Sequence, residues 1–133
     1  MPDDLATATR SGPGRLLIAV YATFAVAAAA RSAVQIATRF DDAPLAYALS
    51  AFAAVVYVLA TVCLASGSTT SRRVAFVSCS VELAGVLLIG TLSLLEPQWF
   101  PDATVWSDFG RGYLFIPVVL PVLGLYWLRR TRP

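Results

Sequence analysis

The segment Pro44–Ala65, PLAYALSAFAAVVYVLATVCLA, contains no charged residue. A helical run of about 20 apolar residues matches the roughly 30 Å hydrocarbon core of a bilayer, so this run limits the available folds severely. Three further runs resemble it: Arg15–Thr38, Val74–Leu95 and the shorter Gly112–Leu128, which Phe109 or Tyr113 at the interface would complete. In lipid only helices and closed barrels satisfy every backbone group, and these runs are too long and too continuously apolar for barrel strands. The pattern predicts an all-α fold: a transmembrane up-down four-helix bundle with spans at about 15–38, 44–65, 74–95 and 112–128. Residues 1–14 read as a flexible cytoplasmic tail and 15–130 as a single transmembrane domain. The stretch 96–111 reads as an extracytoplasmic interfacial loop.

Composition agrees. Hydrophobic residues make up 58% of the 133 positions and charged residues 14%, against roughly 25% charged in an ordinary soluble domain. A soluble chain this small could not hide that much apolar surface. Histidine is absent and all ten basic residues are arginine, which removes imidazole catalysis and most zinc or haem ligation. Cys63 and Cys79 form no metal-binding spacing and read as small apolar filler. No cofactor or metal is implied, and the acid–base groups are too few and too separated to favour an enzyme. The dispersed arginines and a net charge of +2 leave no basic patch for nucleic acid.

Local signals mark the ends of the spans. Asp41 and Asp42 precede Pro44, an acidic cap followed by a proline suited to a first helical turn. Ser66–Ser71 reads as a short turn between helices two and three, and Glu96–Pro97 closes helix three. Arg10, Arg15, Arg72, Arg73, Arg129, Arg130 and Arg132 fall on one side, and only Arg39 and Arg111 on the other. This asymmetry predicts both termini in the cytoplasm of a multi-pass plasma-membrane protein. Arg15, Leu16–Ala27 and Ala28-x-Ala30 also have the form of a cleavable signal. The apolar character resumes after Arg31, however, and completes a full-length span.

Two ionisable groups lie deep in these spans. Arg31 falls about 24 Å beyond Arg15, in the outer half of helix one, with Gln35 one turn further on. Glu82 falls about 12 Å into helix three. Charged groups inside a membrane are costly and mark interior or functional surfaces, so Arg31, Gln35 and Glu82 form the candidate polar site. An Arg31–Glu82 ion pair needs an axial offset of about 10 Å to be spanned by tilt and side-chain lean. Otherwise Glu82 stays a neutral acid, or each group finds a partner on another subunit.

In helix two, Tyr47, Ser50, Ala54, Tyr57 and Thr61 form a seam of small and hydroxyl residues suited to helix packing. Pro117 and Pro121 share a face of helix four and form a candidate hinge. Trp99 and Trp106 in the outer loop, with Tyr126 and Trp127 at the inner end, are candidate interfacial anchors. The helix-two entry RFDDAPLAYALSAFAAVVYVLA and the segment DATVWSDFGRGYLFIPVVLPVLGLYWLRR resemble uncharacterised small four-helix integral membrane proteins of actinobacteria. That resemblance implies a plasma-membrane location and no assigned activity. The expected role is an accessory or scaffolding subunit, partnered by the bilayer and by a membrane protein or further copies of the chain. The alternative is a small oligomeric transporter or channel using Arg31 and Glu82.

Overall fold

The structure, a computed structural model, describes residues 12–66 and 68–131. Most of the anticipated N-terminal tail, with Arg10, lies outside the described residues, as does Arg132. Among the described residues four α-helices run in chain order: α1 (Gly12–Arg39), α2 (Pro44–Ser66), α3 (Thr69–Leu95) and α4 (Ile116–Arg130). No strand occurs among the described residues. The first three helices are long and apolar enough to cross a membrane. Each helix packs mainly on its sequence neighbours, and α1 also touches α4.

The helix ends depart from expectation for identifiable reasons. α1 begins at Gly12, inside the stretch assigned to the tail, because a proline at position 13 is tolerated in a first turn whose N–H groups have no intrahelical partners. Pro44 opens α2 in the same way, and the Tyr47 amide closes that first turn on the Ala43 carbonyl at 3.0 Å. α3 starts five residues before Val74. The Ser68 hydroxyl accepts from the Ser71 amide at 3.0 Å, so the polar turn becomes a capped first helical turn. At the other end, the Glu96 amide bonds to the Leu92 carbonyl at 2.7 Å and Pro97 prevents extension.

The largest departure is in the C-terminal third. Residues expected at the start of a fourth span, from Gly112, belong instead to a 3₁₀ segment, Ser107–Tyr113, that meets α4 at 98°. The break is made by backbone at positive φ: Asp108, Phe109, Leu114 and Phe115 all lie near +50° to +60°, and Gly110 at +80°. Left-handed geometry at four non-glycine residues is strained and persists only where the surroundings hold it. The bend is therefore not made by the prolines. Pro117 occupies the first turn of α4, where no donor is required, and only Pro121 is interior. Both prolines are buried with Gly124 on an inward-packed face.

Part of the loop from 96 to 111 folds into the helix core. Val105 and Trp106 belong to the main core with Tyr21, Tyr57 and Val86. Burying irregular backbone requires its donors to be satisfied. Here the Thr104 amide donates to the Ser107 hydroxyl at 2.9 Å, and the Trp106 amide donates to the Thr104 hydroxyl at 3.0 Å. The space comes from α3. A Cβ on Gly85 would stand 2.5 Å from the Trp106 ring, and Phe109 lies equally tightly over Gly90. Gly85→Ala should therefore cost about 1–3 kcal/mol through overpacking, seen as a lower melting temperature in detergent. Gly12→Ala, whose added methyl meets nothing within 4 Å, should leave that temperature unchanged or raise it.

Candidate functional site

The buried polar centre is assembled from all four helices. Tyr21 of α1 and Glu82 of α3 are both 0% exposed. The Tyr21 hydroxyl donates to Glu82 Oε2 at 2.9 Å and lies 3.4 Å from the Cys79 sulfur. Cys79 and Glu82 are three residues apart on one helical face, so both point toward α1. α4 contributes an absence of side chain: a Cβ at Gly124 would stand 2.7 Å from the Cys79 sulfur and 3.1 Å from the Tyr21 hydroxyl. From α2, the Tyr57 ring packs against Tyr21 with centroids 6.5 Å apart. The Tyr57 hydroxyl accepts the Trp106 indole N–H at 3.0 Å, which attaches the inserted loop to the same centre. Glu82 Oε1 has no hydrogen-bond partner.

Arg31 is not part of this centre. It lies about 15 Å further along α1 than Tyr21, and its guanidinium carbon sits 5.7 Å from the centroid of the Tyr113 ring. This is a cation–π contact. The side chain is exposed, and it lines two cavities, of about 230 Å³ and about 640 Å³. The anticipated trio of Arg31, Gln35 and Glu82 is therefore two separate sites. Gln35 stays with Arg31 but points inward, 2% exposed, with neither amide atom hydrogen-bonded; the buried Ser32 hydroxyl is likewise unpartnered. An Arg31–Glu82 ion pair does not form, because Glu82 faces Tyr21 at a different level of the bundle.

The aromatic residues also separate. Trp99 and Tyr126 are exposed, and Tyr126 accepts from Arg130 Nη1 at 3.0 Å. Trp127 is half-buried. Trp106, expected as an interfacial anchor, is 2% exposed and packed in the core, since the chain around it folds inward over Gly85. Pro117 and Pro121 face the bundle interior rather than a ligand-sized opening.

Tyr21 was not marked by sequence reasoning, and Gly124 read there only as a continuation of the Pro117–Pro121 face. A lone tyrosine in an apolar helix and a glycine within a proline-containing one are ordinary residues until the fold places them against Glu82 and Cys79. A second tie, Tyr47 to Asp102, was similarly hidden. The Tyr47 hydroxyl donates to Asp102 Oδ2 at 2.8 Å and the Ala103 amide to Oδ1 at 2.9 Å. The Tyr47 hydrogen bond holds the Asp102 carboxyl below the usual range; the Ala103 amide, Arg39 and Arg31 add to this against a smaller opposing effect of burial. Among the described residues no three Cys, Asp or Glu side chains gather as a metal site. The chain matches no family model, and no curated protein or solved structure matches it.

Two outcomes follow from these contacts. Glu82→Gln retains an acceptor for the Tyr21 hydroxyl and strands no cation, so it should change stability by less than about 1 kcal/mol, whereas Tyr21→Phe should cost about 1–3 kcal/mol by leaving Glu82 unpartnered. Thermal unfolding of both variants checks this. Because the folded Asp102 carboxyl is shifted down, its contribution is present above the unfolded pKa of about 3.9 and is lost as pH falls through the lower folded value. Tyr47→Phe should therefore lower the melting temperature near pH 7, and its difference from wild type should shrink on acidification below about pH 4.

Proposed function

We propose that the chain is a small multi-pass protein of the plasma membrane with both termini in the cytoplasm. In this reading the helices form an up-down four-helix bundle that acts as an accessory or scaffolding subunit, packing with a larger membrane complex or with copies of itself. The membrane assignment is supported by three helices of spanning length, and by the bent pair of Ser107–Tyr113 and α4 as a fourth crossing. It is supported too by a broad apolar exterior, in which Val26, Val34, Leu88 and Leu94 are exposed. Surface of that kind is stable against lipid or another membrane helix. Orientation rests on arginine placement. Arg72, Arg73, Arg129 and Arg130 come together at the α3–α4 end of the fold, where Arg72 donates to Thr131.

The observation that carries the accessory reading is the closed state of the polar centre. A transport path through Glu82 requires water or solute to reach it. Glu82 is fully buried and hydrogen-bonded to Tyr21, and it is not among the residues lining four of the cavities around the helices. Arg31 lies elsewhere, so the two charges do not share a passage. A polar contact sealed in this way fixes how the helices fit together and leaves the exterior free for partners.

Cys79, adjacent to Tyr21 and fully buried, is a built-in reporter. In a Cys63→Ala background, Cys79 should resist a water-soluble methanethiosulfonate reagent in native membranes and react only after denaturation. Rapid labelling in native membranes would indicate a hydrated path and overturn the accessory reading. Purification in mild detergent should bring down a stoichiometric membrane partner or a defined homo-oligomer. Recovery as a solitary monomer counts against the proposal.

A further inference from the structure

We infer that Arg31 and Arg111 form the headgroup end of a phospholipid-binding site, with the lipid chain lying along α1. The inference rests on the membrane reading above but not on the accessory role. Two cavities adjoin at the Arg31–Tyr113 contact, since both residues line both. The inner cavity, about 230 Å³, is walled chiefly by Phe24, Ala27, Ala28 and Val105. The outer one, about 640 Å³, is walled by polar groups that include Arg111, Thr104, Ser107 and Asp108. One opening is therefore apolar at its inner end and cationic at its outer end.

The chemistry selects a phosphate-bearing amphiphile. Neither the Arg31 nor the Arg111 guanidinium hydrogen-bonds or ion-pairs with another described side chain; Arg31 packs on the Tyr113 ring and acts only at longer range on the Asp102 carboxyl. Asp108 is the one carboxylate on the outer wall, against two guanidinium groups, and its Oδ1 lies 3.3 Å from the Ser93 hydroxyl. Unpaired guanidinium groups present planar donors that suit phosphate oxygens. Ser32 also lines the apolar cavity, although its own hydroxyl is buried without a partner. In a bilayer the abundant molecule with a phosphate above an ester-bearing region and a hydrocarbon chain is a phospholipid.

The test uses full-length protein purified in mild detergent and titrated with phosphatidylglycerol, with complexes counted by native mass spectrometry. Wild type should retain one phosphatidylglycerol, and Arg31→Gln/Arg111→Gln should weaken retention by at least about tenfold. Arg111→Gln alone, at an exposed residue, should weaken it several-fold while circular dichroism and elution profile stay those of wild type. Diacylglycerol should not be retained, and glycerol 3-phosphate should not compete. Equal retention by the double variant, or equal retention of diacylglycerol, overturns the site. So does an equal loss in Arg129→Gln, at the opposite end of the fold, which would mean nonspecific basic attraction. Competition by glycerol 3-phosphate would assign the arginines to a free phosphate compound and overturn the bilayer source. Recovery of the chain in the soluble fraction would be a failure of the membrane reading, whereas loss of lipid binding by membrane-extracted protein is a failure of this site alone.

Discussion

The hydrogen bond from Tyr21 to Glu82 is the contact around which the helices are arranged. Its two side chains are fully enclosed, and it lies where α1, α3 and α4 come closest. In an apolar medium an unpaired polar group costs several kcal/mol, so this contact discriminates strongly against helix registers that would separate the pair. Apolar packing alone does so weakly, because helix surfaces rich in alanine and valine slide past one another with little change in contact. Gly124 permits the approach and Cys79 fills the remaining space with a polarizable sulfur. The arrangement acts as a lock on helix position, which is a structural role consistent with an accessory subunit.

The second constraint is the inward fold of the loop before α4. Trp106 joins the polar centre through Tyr57, Phe109 covers Gly90, and the Asp108 amide donates to the Ser93 hydroxyl at 2.8 Å. These contacts hold the strained left-handed backbone of Asp108, Phe109, Leu114 and Phe115 in place. They also shorten α4 to 15 residues, about 22 Å of helix. That is less than a hydrocarbon core, and α4 passes as a span by length and composition only when counted together with the bent 3₁₀ segment. The same bend carries Arg111 and Tyr113 to the side of Arg31. One local irregularity thus closes the core around Trp106 and builds the cationic cavity.

The helical class was legible in the uncharged run of α2 and in the long runs of α1 and α3. So were the closing of α3 by Pro97 and the start of α2 at Pro44, because proline acts on its own backbone and needs no distant partner. The packing face of α2 was also largely legible: Tyr47, Ser50, Ala54 and Tyr57 are buried, and Thr61 is half-buried. The inward turn of Trp106 was not, since an aromatic residue between apolar spans reads equally well as an interfacial anchor. It depends on a missing side chain at Gly85, twenty-one positions earlier. The candidate polar site was half legible. Arg31, Gln35 and Glu82 stood out by charge or polarity, but their depth along separate helices did not say which of them meet.

By itself, then, the sequence determined the helical class, the three apolar helices of spanning length, and the helix ends fixed by Pro44 and Pro97, all of which follow from residues acting on near neighbours. The tertiary structure decided that Glu82 faces Tyr21 and not Arg31, that the prolines of α4 do not make its bend, and that Arg31 lies against Tyr113 above a cavity. Those outcomes depend on helix rotation, axial register and clearance at single glycines, which no local pattern encodes. A guanidinium inside an apolar helix announces that something must accommodate it. Only the packing of α1 against the inserted loop showed that an aromatic ring and an open cationic cavity do so.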